Sequence, residues 1–183
     1  MAVSINGNTG VVTGLAALPD SAMASGSIIQ VVSTTKTDTF TTTAAITSPA
    51  AVTGLSCSIT PSSSSNKILI MVNIGSSSCT NGDFAARFHL YKGGSEISGA
   101  KGDAASNRTR MAFASRHSSA ARYSSQSMTY LDSPATTSAT TYQLYMSVEP
   151  SGGSACLNRS GSDTDHDYFS RTISTFTVME VAA

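Results

Sequence analysis

The stretch Val52-Thr53-Gly54-Leu55-Ser56-Cys57-Ser58-Ile59-Thr60-Pro61, the run Ser62-Ser63-Ser64-Ser65-Asn66, and then Lys67-Ile68-Leu69-Ile70-Met71-Val72-Asn73-Ile74 decide the fold class. From Leu55 the residues alternate, which puts Leu55, Cys57 and Ile59 on one face of an extended chain. Pro61 and the serine run read as a loop, because proline lacks a backbone donor and serine favours turns. The segment after it is apolar almost throughout, and is expected to be a central strand covered on both faces.

Working outward, the two-residue period recurs. Ile28–Val32, Thr37–Thr42, Phe84–Tyr91, Glu96–Ser98, Arg108–Ala114, Ser127–Asp132, Thr141–Val148 and Ile173–Val181 each read as a strand. Lys92-Gly93-Gly94-Ser95 is a hairpin signal. No window sustains a 3.6-residue apolar period over three turns, so helix is expected for a turn or two at most. About ten short strands joined by Gly, Ser and Pro loops predict an all-β antiparallel β-sandwich. An immunoglobulin domain runs to ~100 residues and carries a strand tryptophan. This chain has no Trp and a longer body, which favours a jelly-roll.

Before Ile28 the pattern changes. Ile5-Asn6-Gly7-Asn8-Thr9-Gly10-Val11-Val12-Thr13-Gly14 alternates turn signals with a short extended piece, and Leu15 to Ser27 is small and unpatterned. Such an arm cannot bury enough surface to hold itself in place, so it is expected to be ordered against a partner. The expected division is an N-terminal anchoring arm, residues 1–26, and a sandwich body, residues 27–183. Ile5, Val11, Val12, Leu15 and Leu18 are its anchoring candidates.

Composition removes several functions. The 183 residues carry 11 basic and 11 acidic side chains, only 12% charged residues in all, while roughly three in ten are Ser or Thr. Zero net charge gives no footprint for a general nucleic-acid binder. No stretch approaches the ~18 apolar residues of a membrane span, and no signal peptide is evident at Met1–Asn6. Cys57, Cys79 and Cys156 are odd in number and widely spaced, against a disulfide framework or a zinc site. Cys57 reads as a small core residue, and Cys79 as a free thiol in a loop.

A family resemblance is carried by the order of several segments. These are Gly26–Val32, Thr53–Ser56, Ile59-Thr60-Pro61 with the serine run into Lys67–Ile70, and Leu90-Tyr91-Lys92-Gly93-Gly94. Asp132–Tyr142, Leu157-Asn158-Arg159-Ser160 and Thr177–Val181 complete the set. From about residue 26 to the end the chain resembles the small tail-fibre-type and head-decoration proteins of tailed bacteriophages, especially those of cyanobacterial hosts. Their bodies are similar to tumour-necrosis-factor-like jelly rolls. The resemblance implies a homotrimer on the virion surface, made in the host cytoplasm. Its arm would dock on other virion proteins such as the major capsid or tail proteins. A capsid decoration (cement) protein is the expected role, and a short tail fibre or tail-tip adhesin binding host surface glycan is the alternative.

The chemistry-bearing residues point away from an enzyme. Asp163, Asp165 and Asp167 alternate around His166, but the segment lacks the glycine and distal glutamate of a calcium loop. It is read as a solvated loop, and no metal or other cofactor is expected. His89, His117 and His166 lie far apart, each with serine nearby, and no Gly-x-Ser-x-Gly elbow appears. Asp83, Asp103 and Asp132 are loop carboxylates rather than a glycosidase pair. Arg108, Arg110, Arg116 and Arg122 form the one basic concentration, with Arg108 and Arg110 expected on one strand face. Arg108, Arg110, His89 and Tyr130 are the interface or glycan-contact candidates. Tyr91, Tyr123, Tyr142 and Tyr145 are the other rings that a carbohydrate-binding module would use.

Overall fold

A computed structural model describes residues 4–5, 12–13, 23–151 and 153–183. It is all-β, with two antiparallel sheets packed face to face. Ahead of the body, β1 (Ser4–Ile5) pairs with β2 (Val12–Thr13). The body strands are β3 (Ile28–Lys36), β4 (Phe40–Thr42), β5 (Ala50–Ile59), β6 (Lys67–Cys79) and β7 (Phe84–Lys92). After them come β8 (Ser95–Glu96), β9 (Phe113–His117), β10 (Ser124–Asp132), β11 (Thr140–Val148), β12 (Ala155–Leu157) and β13 (Ser174–Val181). One 3₁₀ turn, Ser98–Ala100, follows β8.

In the first sheet, the long β6 is the spine. β10 takes one of its edges, from Ile68 to Ser77. On the other edge β13 pairs with Lys67–Ile74 and β12 continues along Ser77–Cys79. β3 lies outside β13 and β4 outside β12. The second sheet runs β5, β11, β7, and β8 and β9 share the far edge of β7. The end bearing Met23, Lys67 and Val181 is called proximal, and that bearing Cys79, Phe84, His117 and Ser124 distal.

The core lies between the sheets. Ile68, Ile70, Val72 and Ile74 of β6 face Leu55 and Ile59 of β5, Phe88 and Leu90 of β7, and Leu144 and Met146 of β11, all essentially buried. Removing one such side chain from water contributes ~1.5–3 kcal/mol, so this layer supplies the dominant favourable term. Phe113 stacks on Phe88 with ring centroids 4.6 Å apart. Val52 and Leu55 both point inward although two residues separate them, because the pairing with β11 shifts register there. Gly54, at φ +84°, supplies the left-handed residue of that bulge.

Three expectations change. The apolar run after Lys67 is covered on one face only: Leu69 and Met71 are half-buried and Asn73 exposed on the outer side. Arg108 and Arg110 lie in the loop before β9, not on a strand face. Cys79 is no loop residue but the buried last residue of β6, and burial pushes its thiol up to about 12. All three cysteines are free and buried.

The distal end is tied by one side chain. Asn158, at φ +60° and fully buried, donates from Nδ2 to the Lys36 carbonyl (3.0 Å) and the Asp38 carbonyl (2.9 Å). Its Oδ1 accepts the Ser174 hydroxyl at 2.6 Å, and its backbone N–H donates to the Ser76 carbonyl. It thereby joins the end of β3, the start of β13 and β6. Nearby, a Cβ on Gly161 would collide with the Cys79 carbonyl, so only glycine lets the chain cross β6 there.

Candidate interaction surface

Alternation on the first sheet sends one set of side chains away from the core. Val31 pairs with Met179, Met179 with Leu69, and Leu69 with Leu131, so these four form an apolar row across four strands. Val31 is 55% exposed and Leu131 45%. Proximal to this row lie Ile28, Val181 and Lys67. Distal to it come Ser33, Thr177, Met71 and Thr129, then Thr35, Thr175, Asn73 and Ser127. Lys67 is the single charge among these rows. The distal part deepens into a groove of about 480 Å³ lined by Asn73, Gly75, Ser125, Ser127, Ile173 and Thr175. At ~4.8 Å between strands and ~3.3 Å per residue the face spans on the order of 500 Å², a substantial share of the ~800 Å² each partner gives to a standard interface.

Residues 23–27 lie beside the apolar end of this face. Gly26 N–H donates to the Ala182 carbonyl and Ala182 N–H to the Ser27 carbonyl, both at 2.9 Å. Met23 lines a proximal cavity of about 410 Å³ with Ser62, Asn66 and Ala183. Beneath it Glu180, only 2% exposed, accepts from the Ser62 N–H and hydroxyl and from Asn66 Nδ2. Burial would raise its carboxyl pKa, but these donors outweigh burial and hold it below the ordinary range. Among the anchoring candidates, Val11, Leu15 and Leu18 lie outside the described residues. Ile5 and Val12 sit in the β1–β2 pair.

The outer face of the second sheet holds a polar network that sequence reading did not assemble. His89 Nδ1 lies 2.8 Å from Glu96 Oε1, and His89 Nε2 lies 2.8 Å from the Ser147 hydroxyl. Lys101 Nζ donates to Glu96 Oε2 at 2.7 Å. The order serine–histidine–carboxylate is that of a nucleophilic relay. Ser147, however, is fully buried near the end of β11 and His89 is 2% exposed, so no substrate reaches the hydroxyl. The network's work is to bind β7, β8 and β11 together.

Its titration follows from its burial. Burial pushes the His89 pKa down, against the pull of Glu96. Burial would raise Glu96, but bonds from Lys101 and His89 hold it low. A histidine depressed in the fold contributes stability that is full above its unfolded value of ~6.5 and is lost as pH falls below it. The depressed Glu96 and Glu180 add a second loss as pH falls below the ordinary 4.5. Urea midpoints measured against pH are therefore expected to fall in two windows, and His89→Gln to remove the upper one. A wild-type midpoint flat between pH 7 and 5 would contradict this.

The remaining candidates fall as follows. Tyr142 is buried, donating its hydroxyl to Asp132 Oδ2 at 2.6 Å, while Lys92 Nζ approaches the same oxygen at 2.9 Å. Tyr130, Glu96 and Asp132 line a cavity of about 300 Å³, with both carboxylates already paired, to Lys101 and Lys92. Tyr91 and Tyr145 stack at 3.8 Å on the outer face of the second sheet. Asp163 is held by Arg159 and Arg171, and Asp165 and Asp167 are exposed. Among the described residues no three His, Cys, Asp or Glu side chains gather as metal ligands.

No family model matches the chain, and no curated protein matches its sequence.

Proposed function

We propose that the chain is a non-enzymatic structural protein of a phage virion, a capsid decoration protein displayed on the particle surface. Its sandwich self-associates, as a homotrimer, through the thinly charged outer face of the first sheet, and its N-terminal arm anchors it to a neighbouring virion protein. The observation that carries this reading is the Val31–Met179–Leu69–Leu131 row. It is apolar and solvent-facing, and it lies beside the point where the arm leaves the body. An apolar row rimmed by polar side chains on a solvent-facing sheet is the form that an association surface takes.

The strand order supports the jelly-roll reading. Eight principal strands form two antiparallel layers, β3-β13-β6-β10 over β5-β11-β7-β9, with chain connections passing repeatedly from one layer to the other. The thinly charged, hydroxyl-rich surface fits dense packing of copies, since little charge means little mutual repulsion. The sedimentation of the purified chain is the test: a single species at three times 18.8 kDa is expected. A clean monomer at micromolar concentration would contradict self-association through this face.

A further inference from the structure

We propose that the margin of the second sheet along β9, with the loops before and after that strand, is a docking surface for a polyanionic glycan. Residues 101–122 hold Lys101, Arg108, Arg110, Arg116 and Arg122 against Asp103 alone, a net charge of +4. The other six basic and ten acidic residues of the chain therefore sum to −4.

Lys101 is paired with Glu96, and the geometry leaves the arginines available. Arg108, Arg110 and Arg122 are exposed and, among the described residues, none has a carboxylate partner; Arg110 Nε donates to the Gly102 carbonyl. On β9, Arg116 is 60% exposed at its side chain and shares Glu149 with Arg87, at 3.2 and 3.4 Å. Two guanidinium groups on one carboxylate leave an excess positive charge, and Arg87 Nη1 is buried without a hydrogen-bond partner. β9 is an edge strand whose ladder partner is β7 alone. Charged side chains also protect sheet edges from pairing, but that role needs no carboxylate shared by two arginines.

A linear polymer bearing carboxylates or sulfates matches a line of separated guanidinium groups, each offering forked donors to one anion. Arg116 and Arg122 sit at the end of the sandwich opposite the arm's exit. The inference rests on the arm-anchored reading for one point, that this end faces outward from the particle.

The experiment measures binding of the full chain to immobilised polygalacturonate, dextran and double-stranded DNA at 50 and 300 mM NaCl. Expected are binding to polygalacturonate that weakens at least tenfold with salt, none to dextran, and weaker binding to DNA. The double variant Arg108→Glu/Arg110→Glu, altered only in an exposed loop, should lose at least tenfold, and Asp165→Ser/Asp167→Ser should bind as wild type. Absence of polygalacturonate binding at 50 mM NaCl, equal binding to dextran, or equal or tighter binding to DNA would each overturn the assignment. None of these outcomes bears on self-association, which the sedimentation measurement decides separately.

Discussion

Replacing Asn158 with alanine is expected to lower stability by about 4 kcal/mol, a melting-temperature drop on the order of 10 °C for a chain of this size. Three losses combine. The Lys36 and Asp38 carbonyls lose the amide donor between them, the Ser174 hydroxyl loses its acceptor, and alanine must take up a φ of +60°. An unsatisfied buried polar group costs about 1–3 kcal/mol and left-handed backbone a further ~1 for a residue without a local polar side chain. Asn158→Gly relieves only the backbone cost and should recover about 1 kcal/mol, while Asn107→Ala, at an exposed site, should stay within about 0.5 kcal/mol. Thermal melts of the three variants check this. An Asn158→Ala melt within 2 °C of wild type would show that the distal end does not depend on this hub.

The largest effect on assembly is expected from Val31→Glu combined with Leu131→Glu. Both side chains are about half exposed in the single chain, so each substitution should change folding stability by about 0.5 kcal/mol or less. Buried against a second copy, each carboxylate would be desolvated without a partner, because the face offers only Lys67 as a cation. The dissociation constant for self-association is expected to rise a hundredfold or more, about 3 kcal/mol. Ser33→Glu with Thr35→Glu, on the same strand at the polar part of the face, should cost less. Light scattering across a concentration series reads the difference. Intact oligomers of the Val31/Leu131 variant would move the interface elsewhere.

How much of this was legible beforehand depended on whether the cause was local. The two-residue period exposed most strands, because alternation follows from burial of one sheet face. It failed at Ala155–Leu157, a three-residue strand set between glycine-rich and serine-rich turns, too short to show a period. It misplaced β9, whose preceding loop supplies Arg108 and Arg110 at strand-like spacing. The apolar run of β6 read as doubly buried because sequence cannot distinguish a residue covered by its own chain from one awaiting a partner. That ambiguity concealed the outer face, and Leu69 and Met71 were the signal. The His89–Ser147–Glu96 network and the Asn158 hub join residues 58, 7 and up to 122 positions apart, so only topology brings them together. Turn chemistry at Leu157-Asn158-Arg159 marked a loop but not which carbonyls its amide would reach.

The arm-anchored, self-associating virion role is tested most directly by comparing full-length chain with a chain lacking residues 1–22 in purified particles from infected cells. That truncation keeps the Gly26–Ala182 hydrogen bond and so spares the proximal end of the body. The account predicts that full-length chain copurifies with particles, while the truncated chain remains folded and oligomeric in the soluble fraction. Truncated chain decorating particles at full occupancy, or full-length chain absent from them, would contradict it.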